Sequence, residues 1–393
     1  MKKKVGIVSC YFQANYGSQL QALATQMALD KLGYDNETIN ISGFNHEIRK
    51  AKIRYFAKAS LTSDILLSKI GMAKNVFYKK FLKNAYTRQA ALRTKRFHAF
   101  SQSHFRLSQP FSTREEAGQH YTDIVVGSDQ LWLPANIAAD YYTLNWVPNH
   151  VNTVAYATSF GQSTLPSNIS RKATTFLNSI RHLSVREESG QHLIQNLVGR
   201  HVPVVCDPTL LFTGEDWLQI QHEKPLIDGK YILCYFLGNN PPHREFAKRL
   251  REKTGYKIVA LPHLDEFVKS DEHYADVMAY DVDPADFLNL IRNAAYICTD
   301  SFHCSVFSIL YKKVFFTFRR YTHKTKSSTN SRIDTLFKLS GIDGRIMDGN
   351  EDIYDVLQIP IDYTIVHGRL NKLREMSYAY FSAAIEDSRS TDL

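Results

Sequence analysis

The chain has 393 residues, 44% of them hydrophobic and 22% charged, with a formal net charge of +9. That length exceeds what one hydrophobic core usually holds, and the composition is globular, which sets aside disordered and fibrous classes. No run reaches the ~20 apolar residues that a transmembrane helix needs, and the charge is uneven: residues 49–106 hold 15 Lys/Arg against one acid, Asp64, leaving the remainder at −5.

The stretch "MKKKVGIVSCYF" imitates a secretion signal, with lysines and then an apolar run. The run is short and β-branched, and no small-residue cleavage site follows, so it predicts a first strand. "NYGSQLQALATQMALDKLGY" predicts a helix with Leu20, Leu23, Ala24, Met27 and Ala28 on one face and Gly33 at its end. "NETINI" predicts a second strand. The basic segment predicts helices, because Gly and Pro are few and Ile53, Tyr55, Phe56, Leu61, Ile65, Ile70, Phe77 and Leu82 stand among its lysines. "DIVVGS" (123–128), "TVAYATSFG" (153–161), "HLSVREE" (182–188) and "PVVCDPTLL" (203–211) predict the remaining strands of this half.

After "TGEDW" the pattern restarts. "KYILCYFLG" (230–238), "KIVALP" (257–262), "AYICTDS" and "KVFFTF" predict strands, while 243–254, "PADFLNLIRNA" and 302–312 predict helices. Val366, Leu370, Leu373, Met376 and Tyr380 form one stripe over 364–386, a long C-terminal helix. Continuous apolar strands between helices imply parallel sheets covered on both faces. The expected fold is therefore α/β: two Rossmann-like domains facing a cleft, with a basic helical insertion and a long C-terminal helix. The first domain is expected over 1–212, the second over 213–363, and the helix and tail over 364–393. The five cysteines are scattered without a Cys-x-x-Cys pair, which suggests neither zinc nor a redox dithiol and fits a reducing, cytoplasmic setting.

In open α/β sheets, ligands bind where strand C-termini meet helix N-termini. "QANYGSQLQ", "GSDQLW" and "SFG" fall at such junctions. None is a P-loop or dinucleotide fingerprint, and small residues there also serve any sharp turn. "ICTDSFHCSVFSILY" (297–311) says more. Asp300 or Ser301 can cap the helix that begins near Phe302, and the free amides there would accept an anion. His303 lies in the first turn, either as a surface histidine beside an ordinary cap or as a group facing the cleft. An anionic substrate beside it would favour the imidazolium, a general acid near neutral pH. Arginines are natural partners of phosphate and carboxylate. Arg186 follows a strand, Arg332 opens a helix, and Arg319 and Arg320 end "VFFTFRR". Each alone is a surface charge; several converging on one cleft make an anion site. The basic segment suits nucleic acid, an anionic membrane or a solvated face. Its mixture of lysines and apolar residues favours an amphipathic hairpin on an anionic bilayer, and no nucleic-acid motif accompanies it.

Together, "NYGSQLQALA", "VVGSDQLW", "YATSFG", "SVREESG", "CDPTLLF", "TDSFH" followed by "VFSILYKK", and "NSRIDTL" resemble the polysaccharide pyruvyl transferase family. They occur in family order over roughly residues 4–340. The resemblance implies a GT-B-like pair of domains and transfer of pyruvate from phosphoenolpyruvate to two hydroxyls of a sugar, giving a cyclic ketal. It implies no metal and no cofactor beyond phosphoenolpyruvate as co-substrate. In the family an arginine often stands two residues before the histidine; here Ser301 takes that place, so anion binding falls to Arg186 and Arg332, with Asp300, Ser301 and Arg319 beside them. Asn15, Tyr16, Gly17, Ser128, Asp129 and Gln130 would line the acceptor side, and Asp129 is a base or a cap. The acceptor would be a free or lipid-linked sugar at the inner face of a bacterial membrane, approached through 49–106. Two rivals share the architecture: a GT-B glycosyltransferase using a nucleotide sugar, and an inactive glycan- or membrane-binding relative.

Overall fold

The computed structural model describes residues 3–59, 85–263, 268–320 and 331–387. In the first half, β1 (Lys4–Val8), β2 (Asp35–Thr38), β3 (Asp123–Val126), β4 (Asn152–Thr158) and β5 (His182–Val185) form a sheet in the order β2-β1-β3-β4-β5. In the second, β6 (Tyr231–Tyr235), β7 (Lys257–Ala260), β8 (Val277–Met278), β9 (Tyr296–Thr299), β10 (Val314–Phe318) and β11 (Ile346–Met347) form a sheet in the order β11-β10-β9-β6-β7-β8. Every strand pairing is parallel. β3 and β4 are buried at every position, as strands covered on both faces must be.

The first order is the 2-1-3-4-5 of flavodoxin-like sheets, and the second, counted within its half, is the 3-2-1-4-5-6 of dinucleotide-binding folds. Strand order therefore reverses between β1 and β3 and again between β6 and β9. Connections leave in opposite directions at such points and open a crevice beyond the strand ends. The two crevices face each other across a cleft, the GT-B-like arrangement of two Rossmann-like domains.

Seven helices position the site: α1 (Tyr16–Lys31), α2 (Asn45–Ala59), α3 (Ala85–His104), α4 (Pro284–Asn293), α5 (Phe302–Leu310), α6 (Ser331–Ser340) and α7 (Tyr363–Glu386). The sequence predicts one apolar face for α1, but the helix is buried on almost every side because it lies between the halves, against α4 and α5. Its buried amides are satisfied: Gln19 Nε2 donates to Phe97 O (3.3 Å) and Gln26 Nε2 to His104 O (3.0 Å).

The basic segment is helical in α2 and α3; the stretch from Leu61 to Leu82 lies outside the described residues. α3 carries Arg93, buried, which donates to the carbonyls of Pro262, Ala279 and Tyr280 in the second half. Arg96 meets Asp281 (3.2 Å) and Asp283 (3.0 Å) there. Part of the positive surplus thus holds the halves together. α2 keeps an exposed outer surface that includes Arg49, Lys50, Ile53, Arg54 and Lys58.

Residues 203–211 differ from the predicted strand. Val204 makes an isolated parallel bridge to Val185, and Pro208–Leu211 coil into a 3-10 turn. Pro203 and Pro208 lack the N–H groups that a ladder needs. α7 runs back from the second half to the first sheet, where Phe381 packs on Tyr156 (ring centroids 4.5 Å apart) and Asn152 Nδ2 donates to Ala384 O (2.8 Å). No described helix is long and apolar enough to cross a membrane.

Candidate functional site

Where the two crevices meet is a cleft of about 360 Å³, within the roughly 300–1,000 Å³ of small-molecule sites. The first half supplies Cys10, Asn15, Ser18, Asp129 and Gln130; the second supplies Leu237, Ser301, Phe302, His303, Arg320 and Arg332; α2 adds Lys52 and Phe56.

His303 is placed by the start of α5. Ser301 caps that helix, its Oγ accepting from Cys304 N (3.4 Å). The Asp300 carboxylate accepts from the amides of Leu237 (2.6 Å) and Gly238 (2.8 Å), which ties the turn after β9 to the turn after β6. His303 Nε2 lies 3.5 Å from Oδ2 of Asp207, an ion-pair distance without a formed hydrogen bond. The opposite edge of the ring meets Gly17, where a Cβ would stand 2.0 Å from Nδ1. Only a residue without a side chain admits the imidazole there.

Asp207 is the hub of the buried network. Its Oδ2 accepts from Arg186 Nη1 (2.8 Å) and Ser128 Oγ (2.9 Å), and its Oδ1 from Thr209 Oγ1 (2.7 Å). Burial raises the Asp207 carboxyl, but the charges of His303 and Arg186 outweigh it and hold the pKa far below the carboxylate range. Arg186 also faces Asp129 (3.5 Å) and Glu187 (3.6 Å). Asp129 sits at φ 82°, in the left-handed region. Its carboxylate accepts from Ser18 Oγ (2.6 Å), from the thiol of Cys10 (3.4 Å) and from Gln130 N (2.8 Å). Burial would raise its pKa, yet Arg186, His303 and these donors bring it down to about 2.

Arg186 and Arg332 flank the Phe302 ring, their guanidinium carbons 4.8 and 5.8 Å from its centroid. Their situations differ. Arg186 is balanced by acids, whereas Arg332 is buried, its Nε has no hydrogen-bond partner, and no acid pairs with it among the described residues. Burial, then the charges of Arg186 and Arg320, lower its pKa to about 9, so it stays a cation at neutral pH. A buried charge without a counter-ion is costly, and an anion in the cleft would relieve it. Arg320 completes the cluster, its Nη2 donating to Asp300 O (3.1 Å).

Of the sequence-predicted residues, the structure gathers His303, Asp129, Arg186, Arg332, Ser301, Asn15 and Gln130 in or against the cleft, with Ser128 and Gly17 just behind it. Others sit elsewhere. Arg319 points out to Asp334 (2.9 Å), because strand alternation sends its neighbour Arg320 inward. Tyr16 stacks on Phe287 of α4 (4.4 Å) and donates to Val282 O (3.0 Å), so it joins the halves. Asp300 spends its carboxylate on backbone amides. Sequence reasoning missed Asp207 and Ser18, and it left Lys52 inside a charge run. Asp207 had a signal: an Asp-Pro step interrupting an apolar run marks a turn that carries a polar group. Among the described residues no three His, Cys, Asp or Glu side chains cluster as metal ligands do.

The family model of polysaccharide pyruvyl transferase matches residues 15–320. No curated protein matches the chain significantly. Among solved structures the chain is similar to the UDP-GlcNAc 2-epimerase of Methanocaldococcus jannaschii in complex with UDP-GlcNAc and UDP, at 14% identity and TM-score 0.47 over 95% of this chain and 94% of that one. It is also similar to the UDP-GlcNAc 2-epimerase of Neisseria meningitidis bound to UDP-GlcNAc (10%, TM-score 0.47, 99% and 100% covered) and to the glycosyltransferase SnogD of Streptomyces nogalater (12%, TM-score 0.41, 98% and 99% covered). The matched stretch spans both halves of the cleft, from the Asn15 cap of α1 past His303 of α5 to Arg320: the chain belongs to the polysaccharide pyruvyl transferase family.

Proposed function

We propose that the protein transfers pyruvate from phosphoenolpyruvate to two hydroxyls of one sugar in a cell-surface polysaccharide precursor, forming a cyclic ketal. The observation that carries this reading is Arg332: a buried guanidinium with no acid pairing with it among the described residues, beside Arg320 and Arg186, in the same cleft as His303. Phosphoenolpyruvate brings the phosphate and the carboxylate that such a cluster requires. His303 protonates C3, and C2 gains oxocarbenium character. One sugar hydroxyl attacks C2 and returns its proton to His303; the C2–O bond to phosphate breaks. The second hydroxyl then closes the ring, and its proton leaves on phosphate. Asp207 keeps the imidazole oriented. With a pKa near 2, Asp129 is a poor base, and the role that fits it is a fixed negative charge beside the developing cation. The arginines stabilise the departing phosphate and anchor the carboxylate.

The exposed face of α2, with Ile53 among Arg49, Lys50, Arg54 and Lys58, supports a place for the enzyme against the anionic inner surface of a bacterial membrane. Sedimentation with anionic vesicles, lost when these four basic residues become glutamine, tests that placement.

The test of the reaction is calorimetric titration of phosphoenolpyruvate into wild-type, Arg332→Ala and His303→Ala protein. The expected result is binding that Arg332→Ala weakens at least tenfold and His303→Ala leaves within threefold, with pyruvyl transfer absent from the latter. No binding at millimolar phosphoenolpyruvate, with a nucleotide sugar bound instead, would assign the cleft to a glycosyltransferase.

A further inference from the structure

Four carboxylates stand beside the arginines of the cleft, and they are not equally committed. Asp207 accepts from Arg186, Ser128 and Thr209, and Asp129 from Ser18, Cys10 and Gln130. Asp300 accepts from the amides of Leu237 and Gly238. Glu187 differs. It follows Arg186 at the end of β5 and is 1% exposed. Ser159 Oγ donates to its Oε1 (2.6 Å). Its Oε2 lies 3.6 Å from Arg186 Nε, and neither of those two atoms has a hydrogen-bond partner among the described residues. Arg186 already faces Asp207 and Asp129, so its charge is shared among three acids. The other cation that acts on Glu187 is Arg332. The groups that face Glu187 are thus Arg186 from the end of β5, Arg332 from α6 and the Ser159 hydroxyl from the turn after β4. Burial raises the pKa of the Glu187 carboxyl above its ordinary value, while Arg186, Ser159 and Arg332 pull against that rise.

We propose that Glu187 is the charge-compensating residue of the donor site: it takes up a proton when an anion binds at Arg332 and returns it when the anion leaves. The proposal rests on the reading of Arg332 as the donor's anchor. An anion on Arg332 engages the cation that steadied Glu187 and adds a like charge, and a like charge close by favours the neutral form of a carboxyl. Protonation then relieves the cost of an unpaired buried charge. Of the four carboxylates, Glu187 gives up the fewest hydrogen bonds on taking a proton, so the proton goes there and Asp129, Asp207 and Asp300 stay ionised. It is stored, not transferred: it enters with the donor and leaves with phosphate, and the proton balance of turnover is unchanged. Glu187 is not among the side chains that line the cleft. It acts through Arg332, as a positioning residue. Because the bound state carries the extra proton, affinity for an anion of fixed charge strengthens as pH falls and weakens as pH rises. The slope is about tenfold per pH unit where a whole proton is taken up.

The experiment is calorimetric titration of sulfate, whose own charge is fixed across the neutral range, with phosphoenolpyruvate titrated in parallel. Each titration is made in two buffers of different ionisation enthalpy at pH 7, and the difference in heat counts the protons taken up. His303→Ala protein is measured beside wild type, because the imidazole is the other group that could receive the proton. The expected result is proton uptake by both proteins, reduced at least threefold in Glu187→Gln, which keeps an acceptor for Ser159. Binding without uptake by wild type overturns the proposal. So does uptake that Glu187→Gln leaves unchanged, or that His303→Ala abolishes. If Glu187→Gln does not fold, Ser159→Ala gives a second reading. It removes a donor to the ionised carboxyl and so raises the Glu187 pKa, which moves the pH of greatest uptake upward; an unmoved maximum rejects Glu187. If sulfate binds and phosphoenolpyruvate does not, the donor reading fails while the sulfate titration still decides on Glu187. Binding of neither anion overturns both, since each requires an anion at Arg332.

Discussion

A Cβ on residue 17 would lie 2.0 Å from Nδ1 of His303, although the two residues come from opposite halves of the chain. The imidazole must therefore move in Gly17→Ala, and displacement of a catalytic group by about 1 Å can cost on the order of 100-fold in rate. We expect kcat for pyruvyl transfer to fall by about that factor, with phosphoenolpyruvate affinity within twofold of wild type because the arginines are untouched. A second residue-scale prediction concerns Asp129, whose pKa Arg186 and His303 bring down to about 2, below the ordinary carboxylate value of 3.8. A depressed carboxylate contributes stability above its unfolded pKa and loses it as pH falls through the folded one. Asp129→Asn should cost about 2 kcal/mol at pH 6, and the gap to wild type should narrow between pH 4 and pH 2 in denaturant titrations. At this scale the sequence was partly legible. His303 and Arg186 stand at junctions where an apolar run gives way to polar residues, which is where α/β sheets place ligands, and Arg332 opens a helix after a polar stretch. Asp207 was hidden because its importance lies in partners 21 and 79 residues away, Arg186 and Ser128, which no local pattern encodes.

Helices and strands were easier to foresee than their surroundings. Strands such as β4 and β9 follow directly from β-branched and apolar runs, and the restart after "TGEDW" marked the second sheet. What periodicity could not give was the environment of α1, whose glutamines look solvent-facing until α3 covers them and Gln19 and Gln26 donate to Phe97 O and His104 O. The same applies to α3. Its arginines read as part of a surface charge run, yet Arg93 is buried against three carbonyls of the second half while Arg96 remains partly exposed. The two should respond differently to truncation. Arg93→Ala leaves buried carbonyls unpaired, each costing about 1–3 kcal/mol, so we expect a loss of at least 3 kcal/mol in urea unfolding. Arg96→Ala removes ion pairs that solvent still screens, and exposed pairs are worth about 0.2–1 kcal/mol. A similar loss for both would mean that α3 is not the strut between the halves.

For the whole molecule, the cleft is a source of instability as well as of function. Three arginines converge on it, and among the described residues no acid forms an ion pair with Arg332, whose Nε has no hydrogen-bond partner. Arg332 touches the Phe302 ring from a buried position in α6. Replacing a buried, unpaired cation with an apolar side chain of similar reach removes a desolvation penalty. Arg332→Met should therefore unfold at the same or a higher temperature than wild type in the absence of ligand. Added phosphoenolpyruvate then separates the two proteins. A ligand that binds only the folded state stabilises it by RT ln(1 + [L]/Kd), or about 2.7 kcal/mol at a hundredfold excess over Kd. Wild type should gain that increment and Arg332→Met almost none, so the order of their melting temperatures should reverse as phosphoenolpyruvate is titrated from zero to millimolar. The reversal would follow if one buried charge both costs stability in the free protein and, as proposed, binds the donor. Parallel melting curves at every concentration would show that Arg332 does neither.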